Sequence, residues 1–183
     1  NMAITMALNG GIGIIHRYMN ITQQLNEVNK VKRHINYIFL DPYKMDITST
    51  YLDVLNHIEK TNVTTICITN NNSYPNIIGI ITNRDLQKLE SIPIDDILNK
   101  TLKELDSTYN IITHYNNLIL MGYQKDTFQS ILNDKSSNDF KNCMITARKL
   151  MNNNNIEKIP IFELNERENY TNKILGIITR RSV

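Results

Sequence analysis

The sequence predicts an α+β fold made of one unit used twice, and three observations carry that prediction. Gly79-Ile80-Ile81-Thr82-Asn83-Arg84-Asp85 recurs almost unchanged as Gly176-Ile177-Ile178-Thr179-Arg180-Arg181-Ser182, and self-similarity of this kind marks a duplicated structural unit. A β-branched stretch stands upstream of each copy, Val63 to Ile68 and Ile156 to Phe162, as strands require. Before each of these lies a helix-like stretch: Tyr51, Leu52, Leu55 and Ile58 share one helical face, and Ala147, Leu150 and Met151 share a shorter one. Each unit therefore reads β-α-β-β-α, and the two are expected to pack as a pseudo-two-fold pair.

The elements follow in chain order. Residues 1–33 stand apart from the repeats as a flanking segment. The first unit, 34–92, opens on a strand from Tyr37 to Leu40 that Asp41-Pro42 ends, because proline donates nothing to a ladder. The second unit, 93–183, begins with a linker helix from Ile94 to Leu105, whose Asp95 and Asp96 suit a helix N-terminus. Asn110 to Tyr115 is its opening strand. Residues 116–142 exceed a normal connection. They carry two apolar pieces, Leu118 to Met121 and Phe128 to Leu132, and are read as an insertion that is partly ordered at most. The asparagine runs Asn70 to Asn72 and Asn152 to Asn155 read as connectors, since asparagine tolerates left-handed turns.

Composition excludes several classes. Of 183 residues, 41% are hydrophobic and 21% charged, enough for a sizeable core. Twenty basic side chains against 18 acidic ones leave a net charge of +2, too weak a field to argue for nucleic acid or an anionic membrane as partner. No apolar stretch approaches the ~20 residues of a membrane span, and the start lacks signal-peptide order. Cys67 and Cys143 are in neither metal-ligand nor redox spacing, so a reduced, cytoplasmic setting is expected. Cys67, within Thr65-Ile66-Cys67-Ile68, reads as a buried strand residue. His16, His34, His57 and His114 do not cluster in metal spacing. Gly10-Gly11-Ile12-Gly13 fails as a dinucleotide loop, because His16 stands where the third glycine belongs and no βαβ unit surrounds it.

Thr82 ends a strand and opens a helix, where free amides and the helix dipole favour a phosphate. Asp85 projects from the same first turn, and a carboxylate there can accept from both hydroxyls of a ribose. The same Thr-x-x-Asp spacing also spells a capping box, in which Thr82 caps the helix and Asp85 reaches back to the Thr82 amide. Both readings stand at this level.

The opening Met2-Ala3-Ile4-Thr5-Met6-Ala7-Leu8-Asn9-Gly10-Gly11-Ile12-Gly13-Ile14-Ile15-His16 resembles the segment of inosine-5′-monophosphate dehydrogenases that leads from the catalytic barrel towards a regulatory insert. Gln23-Gln24-Leu25-Asn26-Glu27-Val28-Asn29-Lys30-Val31-Lys32 is similar to that family's connecting helix. The two repeats resemble its cystathionine-β-synthase (CBS) pair. The resemblance implies tandem CBS repeats and a regulatory module that binds adenine or guanine nucleotides such as ATP, GTP or GDP. It implies nucleotide contacts from Thr82, Arg84, Asp85, Lys158, Thr179, Arg180 and Arg181, with Ile38, Ile66 and Ile159 against the base. Ser182 stands in the second aspartate position, so the second ribose grip is expected to be weaker. The parent enzyme would oxidise inosine monophosphate with NAD, with potassium present, as a homotetramer or octamer that self-associates through the repeats. No Gly-Ser-x-Cys nucleophile loop occurs here, so the chain itself is expected to be non-catalytic. The alternative is a CBS module that only dimerises or braces its parent.

Overall fold

The computed structural model describes residues 2–35, 38–40, 42–61, 63, 65–70 and 77–180. The chain opens on two helices that pack on each other, α1 (Met2–Leu8) and α2 (Ile21–Ile35). The repeats then form two four-stranded sheets. The first has the order β2-β3-β4-β5, with β2 Lys44–Asp46, β3 Thr65–Thr69, β4 Ile77–Thr82 and β5 Thr113–His114. The second has the order β1-β8-β7-β6, with β1 Ile38–Phe39, β6 Met121–Tyr123, β7 Lys158–Leu164 and β8 Tyr170–Thr179. Each is a parallel pair, β2 with β3 or β6 with β7, followed by two antiparallel pairings.

The two-fold likeness extends to an exchange the sequence reading did not foresee. β1, read as the opening strand of the first unit, pairs with β8 in the other sheet, Ile38 opposite Ile178. β5, read as the opening strand of the second unit, pairs with β4, His114 opposite Gly79. The recurrent glycine explains both crossings. A Cβ on Gly79 would stand 2.7 Å from the Thr113 carbonyl oxygen, and one on Gly176 would stand 2.8 Å from that of Phe39. A strand glycine marks close backbone approach, and here each copy is where the other half's strand passes. Tyr37 and Asp41, which bounded the expected first strand, lie outside the described residues.

Helices cover the outer faces of the sheets. Around the first sheet, α3 (Tyr51–Thr61), α4 (Asn83–Gln87), α5 (Ile94–Ile97) and α6 (Leu102–Tyr109) enclose Val54, Ile66, Ile68, Ile81, Leu102 and Leu105. The stretch expected as one linker helix is two, α5 and α6. Thr101 breaks it by capping α6, accepting from the Glu104 amide while Glu104 bonds back to the Thr101 amide at 2.8 Å. Those bonds hold the Glu104 carboxyl below its ordinary range, so this contribution is present at neutral pH and is lost on acidification. Asn110 and Asn155 close α6 and α8 (Asn138–Asn154) in the left-handed conformation.

Residues 116–142 are not a partly ordered insertion. They contain a single 3₁₀ turn (Tyr115–Asn117 at its start), β6, and α7 (Lys125–Asn133), which buries Phe128 and Ile131. Met121, Phe128 and Ile131 are core for the second sheet, packing with Phe140, Ala147, Met151, Ile159 and Ile161, while Leu118 and Leu120 pack between the sheets. A third cluster, Cys67, Ile77, Ile80, Phe162 and Ile177, lies between the sheets. All five residues of β3 are buried for that reason: Ile66 and Ile68 face helices, and Cys67 faces the other sheet.

Candidate functional site

The strand-to-helix turn at Thr82 is the strongest sequence-level candidate, and its geometry is that of a helix cap. Thr82 donates to Asp85 Oδ2 from its amide at 3.0 Å and from its hydroxyl at 2.7 Å. Lys88 Nζ donates to Asp85 Oδ1 at 3.2 Å and to the Asn110 carbonyl at 2.8 Å. Both carboxylate oxygens are thus engaged within the fold, and Asp85 is only 9% exposed. The oxygens that would grip a ribose instead tie α4 to the left-handed turn that ends α6. Asp85→Ala is expected to cost about 1 kcal/mol of stability in denaturant titration with no ligand present, the typical loss for a helix cap.

The second copy is arranged differently. Thr179 ends β8 opposite Lys158. The Arg180 amide donates to the Glu157 carbonyl at 2.7 Å, and its guanidinium donates to Asn152 Oδ1 at 2.9 Å. Arg84 approaches Glu157 at 3.9 Å, with both side chains more than 60% exposed, a contact of little energetic weight. Glu157 therefore brings Arg84 and Arg180 to one edge. Arg181 and Ser182 lie outside the described residues. Ile38, Ile66 and Ile159 are core residues, 5%, 2% and 0% exposed. Ile66 packs in the first-sheet core and the other two in the second.

Neither cysteine is a poised nucleophile. Burial between the sheets pushes the Cys67 thiol up to about 12, with Lys44 opposing weakly. Burial also raises Cys143, against the opposing effect of its hydrogen bond with Tyr123. Because the thiolate is the reacting species, both cysteines are expected to resist a thiol reagent in the native chain and to react once it is unfolded. The glycine run is equally unsuited to a dinucleotide. A Cβ on Gly13 would stand 2.5 Å from Ala3 Cα, and one on Gly11 would stand 3.1 Å from Met6 Cε. Gly11 and Gly13 are thus the positions at which α1 itself packs closely. Among the described residues there is no metal-ligating group of three or more His, Cys, Asp or Glu.

One polar pair escaped sequence reasoning. Asp106 on α6 accepts from the Ile112 amide at 2.7 Å, and its other oxygen meets His114 Nε2 at 2.7 Å, clasping β5 to the helix before it. A spacing of eight residues across a turn matches no helical or strand period, so no pattern announced it. A shallow groove lined by Tyr18, Met19, Gln23, Asn26, Glu27 and Lys60 contains none of the predicted residues.

Comparison with known proteins decides the family. Residues 1–168 match the IMP dehydrogenase / GMP reductase domain. The chain is 40% identical over 101 residues to an inosine-5′-monophosphate dehydrogenase of Staphylococcus saprophyticus, and 38% identical over 101 residues to that of Bacillus subtilis. Each alignment covers 54% of this chain and 21% of the relative, so the chain spans about a fifth of the length of these curated proteins. In fold it is similar to a GMP reductase from Trypanosoma brucei solved with guanosine 5′-triphosphate. That likeness has a TM-score of 0.65 and 19% identity, covering 99% of this chain and 35% of that one.

These findings correct the expected function. The match is to the dehydrogenase / reductase domain, not to a CBS regulatory module, so neither the nucleotide-sensing reading nor its bracing alternative is supported. The physical reason lies in the repeat: a recurrent strand-turn-helix reports duplicated packing, and the Asp85 carboxylate that suggested a ligand is consumed by the helix cap. By the extent of its match, the chain belongs to the IMP dehydrogenase / GMP reductase domain family.

Proposed function

We propose that this chain is part of an NAD-dependent oxidoreductase that converts inosine monophosphate to xanthosine monophosphate. The observation that carries the reading is the family match across residues 1–168. Identities of 40% and 38% over 101 residues to inosine-monophosphate dehydrogenases favour the oxidative direction. In this reaction water adds oxygen to the purine and a hydride passes to NAD. In this reading the nucleophile is supplied by further polypeptide, because no Gly-Ser-x-Cys loop occurs in this sequence. Potassium, a tetrameric or octameric assembly and a cytoplasmic location go with the same reading. Among the described residues no helix is long and apolar enough to cross a membrane.

The contribution of this chain is structural continuity with that domain. Met2 and Met6, one helical turn apart, are 83% and 45% exposed, and Ile12 and Ile14, two apart, are 89% and 91% exposed. Apolar side chains in helix and then strand spacing, left in water, suit packing against further protein. We read the two sheets as a pair of CBS-type repeats in architecture alone, on the strength of the recurrent motif and the matching strand pairings.

The test uses the enzyme-length polypeptide containing this sequence. Given inosine monophosphate and NAD, it is expected to form NADH in step with xanthosine monophosphate, whereas the 183-residue chain alone forms none. A folded polypeptide that forms no NADH, but consumes reduced cofactor with guanosine monophosphate, would overturn the oxidative assignment in favour of the reductase.

A further inference from the structure

We propose that the Asn9–Gly10 bond is a modification site, at which Asn9 deamidates through attack by the Gly10 amide nitrogen, with water as the only co-reactant. Asn9 is the one asparagine in the sequence that is followed by glycine. Closure of the five-membered ring requires the next residue's nitrogen to reach the side-chain carbonyl carbon, and a side chain on that next residue hinders it. Gly10 offers no such hindrance: a Cβ built there would meet nothing within 4 Å, and its φ of +76° is one that glycine adopts freely. Both residues are exposed, at the end of a seven-residue helix. The attacking N–H is held only by a 3.2 Å bond to the Ala7 carbonyl, and helix ends open at little cost.

The chemistry balances without an oxidant or reductant. The bond from Gly10 nitrogen to Asn9 Cγ forms and the bond from Cγ to Nδ2 breaks. Ammonia leaves with the proton lost by Gly10 nitrogen. Water then opens the cyclic imide at either carbonyl, giving aspartate or isoaspartate.

The structure also assigns a consequence. Asn9 Nδ2 donates to the Thr5 carbonyl at 2.8 Å, a second donor on the oxygen that also accepts the Asn9 amide at 3.2 Å in the last turn of α1. A carboxylate has no proton to donate there and places negative charge at the negative end of the helix dipole. Deamidation therefore loosens the last turn of α1 and the Gly11 amide bond to the Met6 carbonyl, now 2.8 Å. The polar turn joins the two exposed apolar stretches described above, so within the longer polypeptide the reaction is expected only where further protein leaves this turn uncovered.

The experiment incubates the 183-residue chain at mildly alkaline pH beside a free peptide of residues 5–14, with Asn9 followed by mass spectrometric peptide mapping. The expected result is an aspartate and isoaspartate mixture at position 9, formed at a rate within about tenfold of the peptide's, because a fraying helix end is protected little. Asn9→Gln is expected to abolish the product. An unmodified Asn9 after the peptide has fully converted would overturn the site. Separately, Asn9→Asp is expected to lower amide-exchange protection across residues 5–11, and unchanged protection would overturn the consequence.

Discussion

Phe162→Ala is expected to lower the unfolding free energy by about 3–5 kcal/mol, the range for removing a fully buried aromatic ring. Phe162 is 0% exposed at the centre of the cluster that joins the sheets, among Cys67, Ile77, Ile80 and Ile177. Tyr115 meets it edge-on, with ring centroids 5.0 Å apart at 87°, an arrangement that adds to simple burial. The neighbours come from strands of both sheets, so they cannot close the void without moving one sheet against the other. In a chain of this size the loss corresponds to a fall in melting midpoint of roughly 10 °C, measurable by calorimetry. Phe162→Leu, which keeps most of the volume, is expected to cost under about 1.5 kcal/mol. If the alanine variant lost no more than the leucine variant, the inter-sheet cluster would not be what holds the halves together.

Gly79→Val is expected to destabilise the chain by about 1–3 kcal/mol through overpacking, with the damage centred on β5. A Cβ at residue 79 would stand 2.5 Å from Ile112 Cγ2, 2.7 Å from the Thr113 carbonyl oxygen and 3.1 Å from His114 Cα. Two of those three atoms are backbone, so side-chain rotation cannot relieve the clash and β5 has to leave β4. Its departure strains the clasp from Asp106 to Ile112 and His114. The measurement is amide exchange: protection at Ile80 and Ile112 is expected to collapse before that of the second-sheet core around Ile161. Gly176→Val is the matched experiment, since its Cβ would meet the Phe39 carbonyl oxygen at 2.8 Å and Ile38 Cγ2 at 3.1 Å. Exchange confined to the substituted residue in either variant would show that the crossing strands are not held by close approach to these glycines.

Much of the core was legible in the sequence. Ile66, Ile68, Cys67, Ile159 and Ile161 lie in runs whose β-branching predicts burial, and all are 2% exposed or less, whereas the helix face read from Tyr51, Leu52, Leu55 and Ile58 is displaced: Leu52 is 40% exposed and Val54 is buried in its place. The capping box at Thr82 was legible as well, since its spacing is local, but its competing reading as a ribose grip was legible from the same residues. Choosing between them required knowing where Lys88 and Asn110 stand, and Asn110 is 22 residues from Lys88. The 116–142 stretch misled for a related reason. Phe128 and Ile131 share a face of α7 and Met121 belongs to β6, but the two pieces are short, and their burial depends on β7 and α8. The family was carried by the opening residues, whereas the regulatory role inferred from the repeats was not supported by the match across residues 1–168.

From the sequence alone came the α+β class, the recurrent strand-and-turn motif, the position of most strands and the helix cap at Thr82. Each of these depends on φ/ψ preference and side-chain periodicity over a few neighbouring residues. Only the tertiary structure decided which sheet β1 and β5 join, that residues 116–142 complete the second sheet, and that the Asp85 carboxylate is a cap. Those outcomes depend on which distant groups meet. A two-residue strand carries too little pattern to select its partner, so the choice falls to the glycines at 79 and 176, whose missing side chains leave room for another backbone.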